Sequence, residues 1–283
     1  MSSKIYFSSS AKRKPLTYYL IKAASTSALK VAPKFAFKQT RKLLLTPAKN
    51  RKRNALSPQF SSQKLATPDG ELHLLSIGSG PEVIFTHGWS GSSQQFLPLM
   101  EKVATSGYRA IAFDHYAHGD SDGKFANLPL FIKGLKSVIA SFEKPKALIS
   151  HSMGTIAALN VSKDIPHFLI APTFGFYDSF EARILNTGIH KSLFSGVLKS
   201  VESEHKMRFG EILPEQHITG HTHPIHIIHD QQDRFAQFDL TREQALKHSH
   251  IKLKAVNNLG HGRIINSDET WQFIKESLLA KCD

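Results

Sequence analysis

Cysteine is almost missing from this chain: there is one, Cys282, second from the C-terminal end. That excludes an internal disulfide framework and a cysteine-rich metal site, and it suits a reducing compartment. Long apolar runs are missing too. No stretch of about 18 uncharged apolar residues occurs, so no transmembrane helix is expected. Acid is absent from the first 68 residues; the first is Asp69, and 15 Lys and Arg precede it. The other 215 residues carry 21 Lys and Arg against 23 Asp and Glu, a net of −2. The formal charge of +13 therefore belongs to an N-terminal arm, and the body is nearly neutral. A nucleic-acid enzyme carries its cations around its site, so no nucleic-acid partner is expected.

The arm reads KRKPLTYYLIKAASTSALKVAPKFAFKQTRKLLLTPAKNRKR. Its pattern predicts short amphipathic basic helices with Leu16, Leu20 and Ala23/Ala24 on one face. Lys22 and Lys30 interrupt it, which excludes the apolar core of a secretory signal. Its roles divide between a helical extension packed on the body with its charges solvated, reversible docking on an anionic membrane surface, targeting, and nucleic-acid contact. Docking would rest on clusters such as Lys49-Asn50-Arg51-Lys52-Arg53 beside the amphipathic turns, and the arm is expected to be dispensable for chemistry. A cytoplasmic location is expected, with peripheral contact at a membrane surface as an alternative that the arm leaves open.

Beyond the arm, Pro68-Asp69-Gly70 predicts the turn of a hairpin. From Val83 onward, strand-like runs (VIFTHG, RAIAFDH, KALISHS, HFLIAPT, PIHIIHD, IKLKAV) alternate with helical patterns, the last starting near Asp268. This alternation implies an α/β fold with a mostly parallel sheet covered by helices on both faces. A site is then expected at the carboxyl ends of the strands. About 50 residues between Pro172 and Pro224 are too many for a plain loop. They include KSLFSGVLKSVE, with Leu193, Val197 and Val201 on one face, and read as a small helical cap packing over the pocket.

One strand runs into a helix through SHSMG. A serine on such a turn has its hydroxyl thrust out at the top of the sheet, and its neighbours two before and two after must be small, as Ser150 and Gly154 are. An ordinary helix N-cap has the same local pattern. His87-Gly88 closes another strand, and the loop there can aim the Trp89 N–H at a developing oxyanion; Met153 would supply the second N–H. Asp233 in IIHDQQDRF and His261 in NLGHGR each follow a strand. Ser, Asp and His thus occur in that chain order.

The pieces HGW, FDHYAHGDS, SHSMG, HDQQDRF and GHGR resemble the α/β-hydrolase fold family, in the manner of a small bacterial-type serine hydrolase or esterase, over roughly residues 60–281. The resemblance implies Ser152 as nucleophile, His261 as general base and Asp233 as the acid that orients it. Asp230 and Asp178 are rival acids. It implies cleavage of a small carboxylic ester or thioester through an acyl-enzyme; acyl transfer, C–C or amide hydrolysis with the same triad, and non-catalytic binding, are the alternatives. His87, Gly88 and His151 are candidate substrate contacts. Asp114 and Gly119 are expected to shape the pocket wall, with His115 and His118 as loop packing or substrate contacts. His217, His221, His223, His226 and His229 are expected to disperse over two faces without holding a metal, and no cofactor is implied. The resulting division is a basic extension over residues 1–60 and a hydrolase domain over 61–283, with a cap insertion at about 174–215.

Overall fold

The strand-like runs become an eight-stranded sheet in the computed structural model, which describes residues 14–48 and 55–279. Cys282 and the cationic run from Lys49 to Arg53 lie outside the described residues. The strands are β1 (Ser61–Thr67), β2 (Gly70–Ile77), β3 (Glu82–Thr86), β4 (Arg109–Phe113), β5 (Ala147–His151), β6 (His167–Ile170), β7 (Ile225–Asp230) and β8 (Ile251–Val256). Their helices, among the described residues, are α1 (Leu16–Val31), α2 (Pro33–Leu45), α3 (Leu97–Ala104), α4 (Leu128–Ala140), α5 (Gly154–Val161), α6 (Phe176–Asn186), α7 (Lys191–His205), α8 (Pro214–His217), α9 (Phe238–Lys247), α10 (Gly260–Arg263) and α11 (Asp268–Leu278). No helix among them is long and apolar enough to cross a membrane.

The sheet order is β1-β2-β4-β3-β5-β6-β7-β8. β1 and β2 form the expected hairpin, Thr67 pairing with Gly70 across Pro68-Asp69, and β2 runs antiparallel to β4. All pairs from β4 to β8 are parallel. β5, β6 and β7 are buried at every position, which is why they read as near-continuous apolar runs without alternation. β8 closes one edge and turns Lys252 outward, a charge that discourages pairing with another chain.

Alternate strand residues feed two layers. Val83, Phe85, Ile149, Phe168 and Ile170 pack with Met100 and Val103 of α3 and Ile274 and Leu278 of α11. Leu169, Ile225 and Ile227 pack with Leu159 of α5. Helix starts are locally encoded: the Asn127 side chain accepts the Leu130 N–H at 2.9 Å to open α4, whose Phe131, Leu135 and Val138 then point inward. Ser267 caps α11 in the same way, ahead of Asp268 and Glu269 in its first turn.

The chain divides into two compact units. The larger comprises the described residues of Pro47–Phe174 and Pro214–Asp283 and contains the whole sheet. The smaller joins the described part of Met1–Thr46 to Gly175–Leu213, so the basic extension and the insertion share one unit. Within it, α2 buries Ala36, Thr40, Leu44 and Leu45, and α7 buries Leu193, Val197 and Val201. Arg41 of α2 reaches Ser200 at 2.7 Å and pairs with Glu204. The Ser25 hydroxyl of α1 donates to the Gly188 carbonyl at 3.2 Å.

Candidate active site

Ser152 stands between β5 and α5 with φ at 54°, a left-handed conformation that a side-chain-bearing residue adopts only when its surroundings impose it. The fully buried β5 ends at His151, and α5 begins at Gly154, so the reversal is confined to two residues. Gly154 lies on the end of β3. A Cβ there would stand 2.6 Å from the His87 carbonyl oxygen and 2.7 Å from that of Thr86. The Ser152 N–H donates to the Ile170 carbonyl at 3.1 Å, and its own carbonyl accepts from the Thr155 hydroxyl at 2.6 Å.

His261 follows β8 on α10, and its Nε2 lies 2.9 Å from the Ser152 Oγ. Its Nδ1 lies 2.7 Å from Asp233 Oδ2. A carboxylate can only accept, so Nδ1 carries the proton and Nε2 is left as acceptor for the serine hydroxyl. The Asp233 side chain is fully buried. Its other oxygen accepts the Phe235 N–H at 2.7 Å and the Ala236 N–H at 3.1 Å. Burial pushes this carboxyl up, but His229, His261 and the Phe235 N–H outweigh it and hold the group below the ordinary carboxylate range.

The rival acids are elsewhere. Asp230 Oδ1 accepts the Gln232 N–H at 2.7 Å, and Oδ2 accepts those of Leu259 at 2.6 Å and Gly260 at 3.0 Å. It thereby folds the loop that presents His261. Asp178 is exposed in the first turn of α6, in the smaller unit.

Gly88 approaches Ser152 so closely that a Cβ would stand 2.7 Å from the Ser152 Cβ. The next residue is Trp89, partly exposed, and beyond it the Ser90 N–H donates to His118 Nε2 at 3.0 Å. Met153 is the N-cap of α5, where an N–H has no intrahelical acceptor and adds to the positive end of the helix.

His87 and His151, expected at the substrate, instead spend their ring nitrogens on the protein. His87 is fully buried; its Nδ1 donates to the Gly88 carbonyl at 2.7 Å and its Nε2 accepts the His115 N–H at 3.0 Å. His151 Nε2 donates to the His261 carbonyl at 2.9 Å, while Gln95 Nε2 stands 3.5 Å from Nδ1. Burial pushes the His151 pKa down to about 3, so it is a neutral prop for the main chain of His261. His118 and His115 are buried loop packing, His118 donating to the Tyr116 carbonyl at 2.9 Å and His115 bonded to Thr86 Oγ1 at 2.7 Å. Asp114 staples the neighbouring loops, accepting from the Ser93 N–H at 2.6 Å and the Asp120 N–H at 2.9 Å.

The histidine-rich tract does disperse. His221 bonds to the His217 carbonyl and His226 to Ser277. His229, read in the sequence only as one of these dispersed histidines, stands beside the acid. Its Nε2 lies 3.3 Å from Asp233 Oδ2, off the line of a hydrogen bond, and its Nδ1 bonds to Thr241 Oγ1 at 2.8 Å. The available signal was its place four residues before Asp233 on a buried strand. Among the described residues, His73, Asp114 and Asp120 approach closely enough to surround a cation, although Asp114 already receives two N–H groups.

Comparison with known proteins agrees with this architecture. Residues 80–259 match the family model described as serine aminopeptidase, S33. A pimeloyl-[acyl-carrier protein] methyl ester esterase of Xanthomonas oryzae is 30% identical over 95 residues, 34% of this chain and 36% of that protein. An epoxide hydrolase of Caballeronia sordidicola is 27% identical over 130 residues, 46% of this chain and 35% of that protein. The matched stretch thus spans only about a third of these curated relatives' length. An AB hydrolase superfamily protein of Bacillus subtilis is 23% identical, over 70% of this chain and 91% of that protein. Among solved structures, an esterase of Pyrococcus furiosus superposes with a TM-score of 0.60 at 22% identity, covering 82% of this chain and 97% of that one. The sheet order and the family match, which takes in more than half of the chain, establish that the chain belongs to the serine aminopeptidase S33 family and has the α/β-hydrolase fold.

Proposed function

We propose that the protein cleaves a small carboxylic ester or thioester through an acyl-enzyme formed on Ser152. The observation that carries the reading is the unbroken line from Ser152 Oγ to His261 Nε2 at 2.9 Å and from His261 Nδ1 to Asp233 at 2.7 Å. His261 takes the hydroxyl proton as Ser152 attacks the carbonyl carbon, then returns it to the leaving alcohol or thiol. Asp233 fixes the tautomer and stabilises the imidazolium. The N–H groups of Trp89 and Met153 receive the oxyanion. Water activated by His261 then releases the acid. No cofactor enters this chemistry. The methyl ester esterase among the relatives supports an ester substrate. The epoxide hydrolase does not transfer its reaction, because opening an epoxide on this fold calls for a carboxylate nucleophile and position 152 is serine.

Amide hydrolysis is the second reading, supported by the description of the matched family as an aminopeptidase. A panel of p-nitrophenyl esters, acyl thioesters and aminoacyl anilides separates the two. A fluorophosphonate probe is expected to label the protein, and Ser152→Ala is expected to abolish labelling and lower turnover by about three or more orders of magnitude. Near-normal turnover in that variant would sink the assignment.

A further inference from the structure

We propose that the outer face of the smaller unit is a docking surface for an anionic phospholipid bilayer. α1 lies with Ser25 on the Gly188 carbonyl, and its opposite side is open to solvent. Leu16, Tyr19, Leu20 and Val31 recur there at helical spacing, and Leu16 and Val31 are 74% and 86% exposed. α2 buries Ala36, Thr40, Leu44 and Leu45 and leaves Phe35 and Leu43 exposed, at 61% and 66%. Single exposed leucines are ordinary, but these are more than half of the large apolar side chains exposed among the described residues, gathered on two helices. A helix that only covered the insertion would turn polar residues outward.

The charge on the same helices says what covers that face. Lys22, Lys30, Lys34, Lys38 and Lys42 are exposed alongside the apolar residues, and no acid occurs before Asp69. Apolar residues interspersed with lysine match the boundary of a bilayer whose headgroups are negative, where the apolar groups enter the acyl region and the lysines snorkel to phosphate. A second copy of this chain is a poor occupant, since it would bring the same cations face to face. Neither helix is long and apolar enough to cross a membrane.

The test is co-flotation of the full chain with vesicles of phosphatidylglycerol and phosphatidylcholine, or of phosphatidylcholine alone. Binding is expected to the first, weaker by at least about tenfold to the second, and reduced by added sodium chloride. Leu16→Asp with Leu20→Asp, and separately Lys34→Glu with Lys38→Glu, are each expected to lose at least about tenfold of that binding. All four positions are exposed, so helicity by circular dichroism and hydrolysis of a soluble ester are expected to stay at the level of the parent chain. Absence of binding to phosphatidylglycerol vesicles overturns the proposal, as does equal binding by either variant. So does a dimer, seen by light scattering, that the leucine variant breaks without any vesicle binding by the parent chain.

Discussion

Asp230 and Asp233 are three residues apart, and their surroundings give them separate tasks. Asp230 spends its oxygens on three backbone N–H groups, those of Gln232, Leu259 and Gly260. Asp233 spends one oxygen on backbone and turns the other to His261. Asparagine at 233 would offer an amide where the imidazole needs an acceptor, and the ring would settle in the wrong tautomer. Asp233→Asn is therefore expected to lower kcat by about 10³- to 10⁴-fold with little change in Tm. Asp230→Asn keeps one acceptor oxygen but loses charge-assisted bonds to the loop beneath His261. Its main expected effect is a loss of stability of about 1–3 kcal/mol, with a smaller loss of kcat. Steady-state kinetics and thermal melts on both variants check this, and a larger kcat effect at 230 would reverse the roles.

At the level of elements, α2 contributes to the insertion through one buried stripe. Leu44 is 8% exposed and Leu45 7%, and Arg41 bridges to α7 across 159 to 163 residues of sequence. Leu44→Ala is expected to cost about 2–4 kcal/mol, measured by urea unfolding. A cost below about 0.5 kcal/mol would mean that α2 is not held there. Removing the arm would uncover the side of α7 that Arg41 and its neighbours contact, so the arm has a structural task, one of the roles its sequence left open, although the sequence did not show which helix it packs on. The reason is physical. Strands from β3 to β8 and helices α3, α4, α5, α9 and α11 were legible because period-2 and period-3.6 patterns, turn residues and caps are local properties of the chain. The line from Ser152 to His261 was legible through strand-end placement and chain order. The pairing of α2 with α7 was not, because a salt bridge between Arg41 and Glu204 leaves no mark near either residue. His229 stayed hidden in the same way, as one histidine among five until β7 aligned it with Asp233.

For the whole molecule, the histidines set how stability responds to acid. His151 and His167 are buried, and desolvation pushes the pKa of each down to about 3. His87 and His115 are fully buried and shifted the same way for the same cause. Their unfolded counterparts take up a proton near pH 6.5. Between that pH and the folded pKa the unfolded chain binds more protons, so stability is complete above about pH 6.5 and falls as the pH drops. His151 and His167 then each cost about 2 kcal/mol between pH 6.5 and 5, and His87 and His115 act in the same direction. Asp114 and Asp233 are held below the ordinary carboxylate range; burial raises each, but histidine partners and backbone N–H groups prevail. Their contribution is present above about pH 4 and lost only below it, so the interval from pH 6.5 to 4 isolates the histidines. Urea unfolding is expected to show a loss of several kcal/mol on going from pH 7 to pH 5. His167 offers the cleanest dissection. It opens β6, donates from Nε2 to the Ser162 carbonyl at 2.8 Å and makes no bond to Ser152, Asp233 or His261. His167→Gln retains a donor near that position and removes the titration. This variant is expected to lose about 2 kcal/mol less than the parent chain over the same pH interval. Parallel pH profiles for the two proteins would show that His167 is protonated or solvated in the folded state, contrary to its burial.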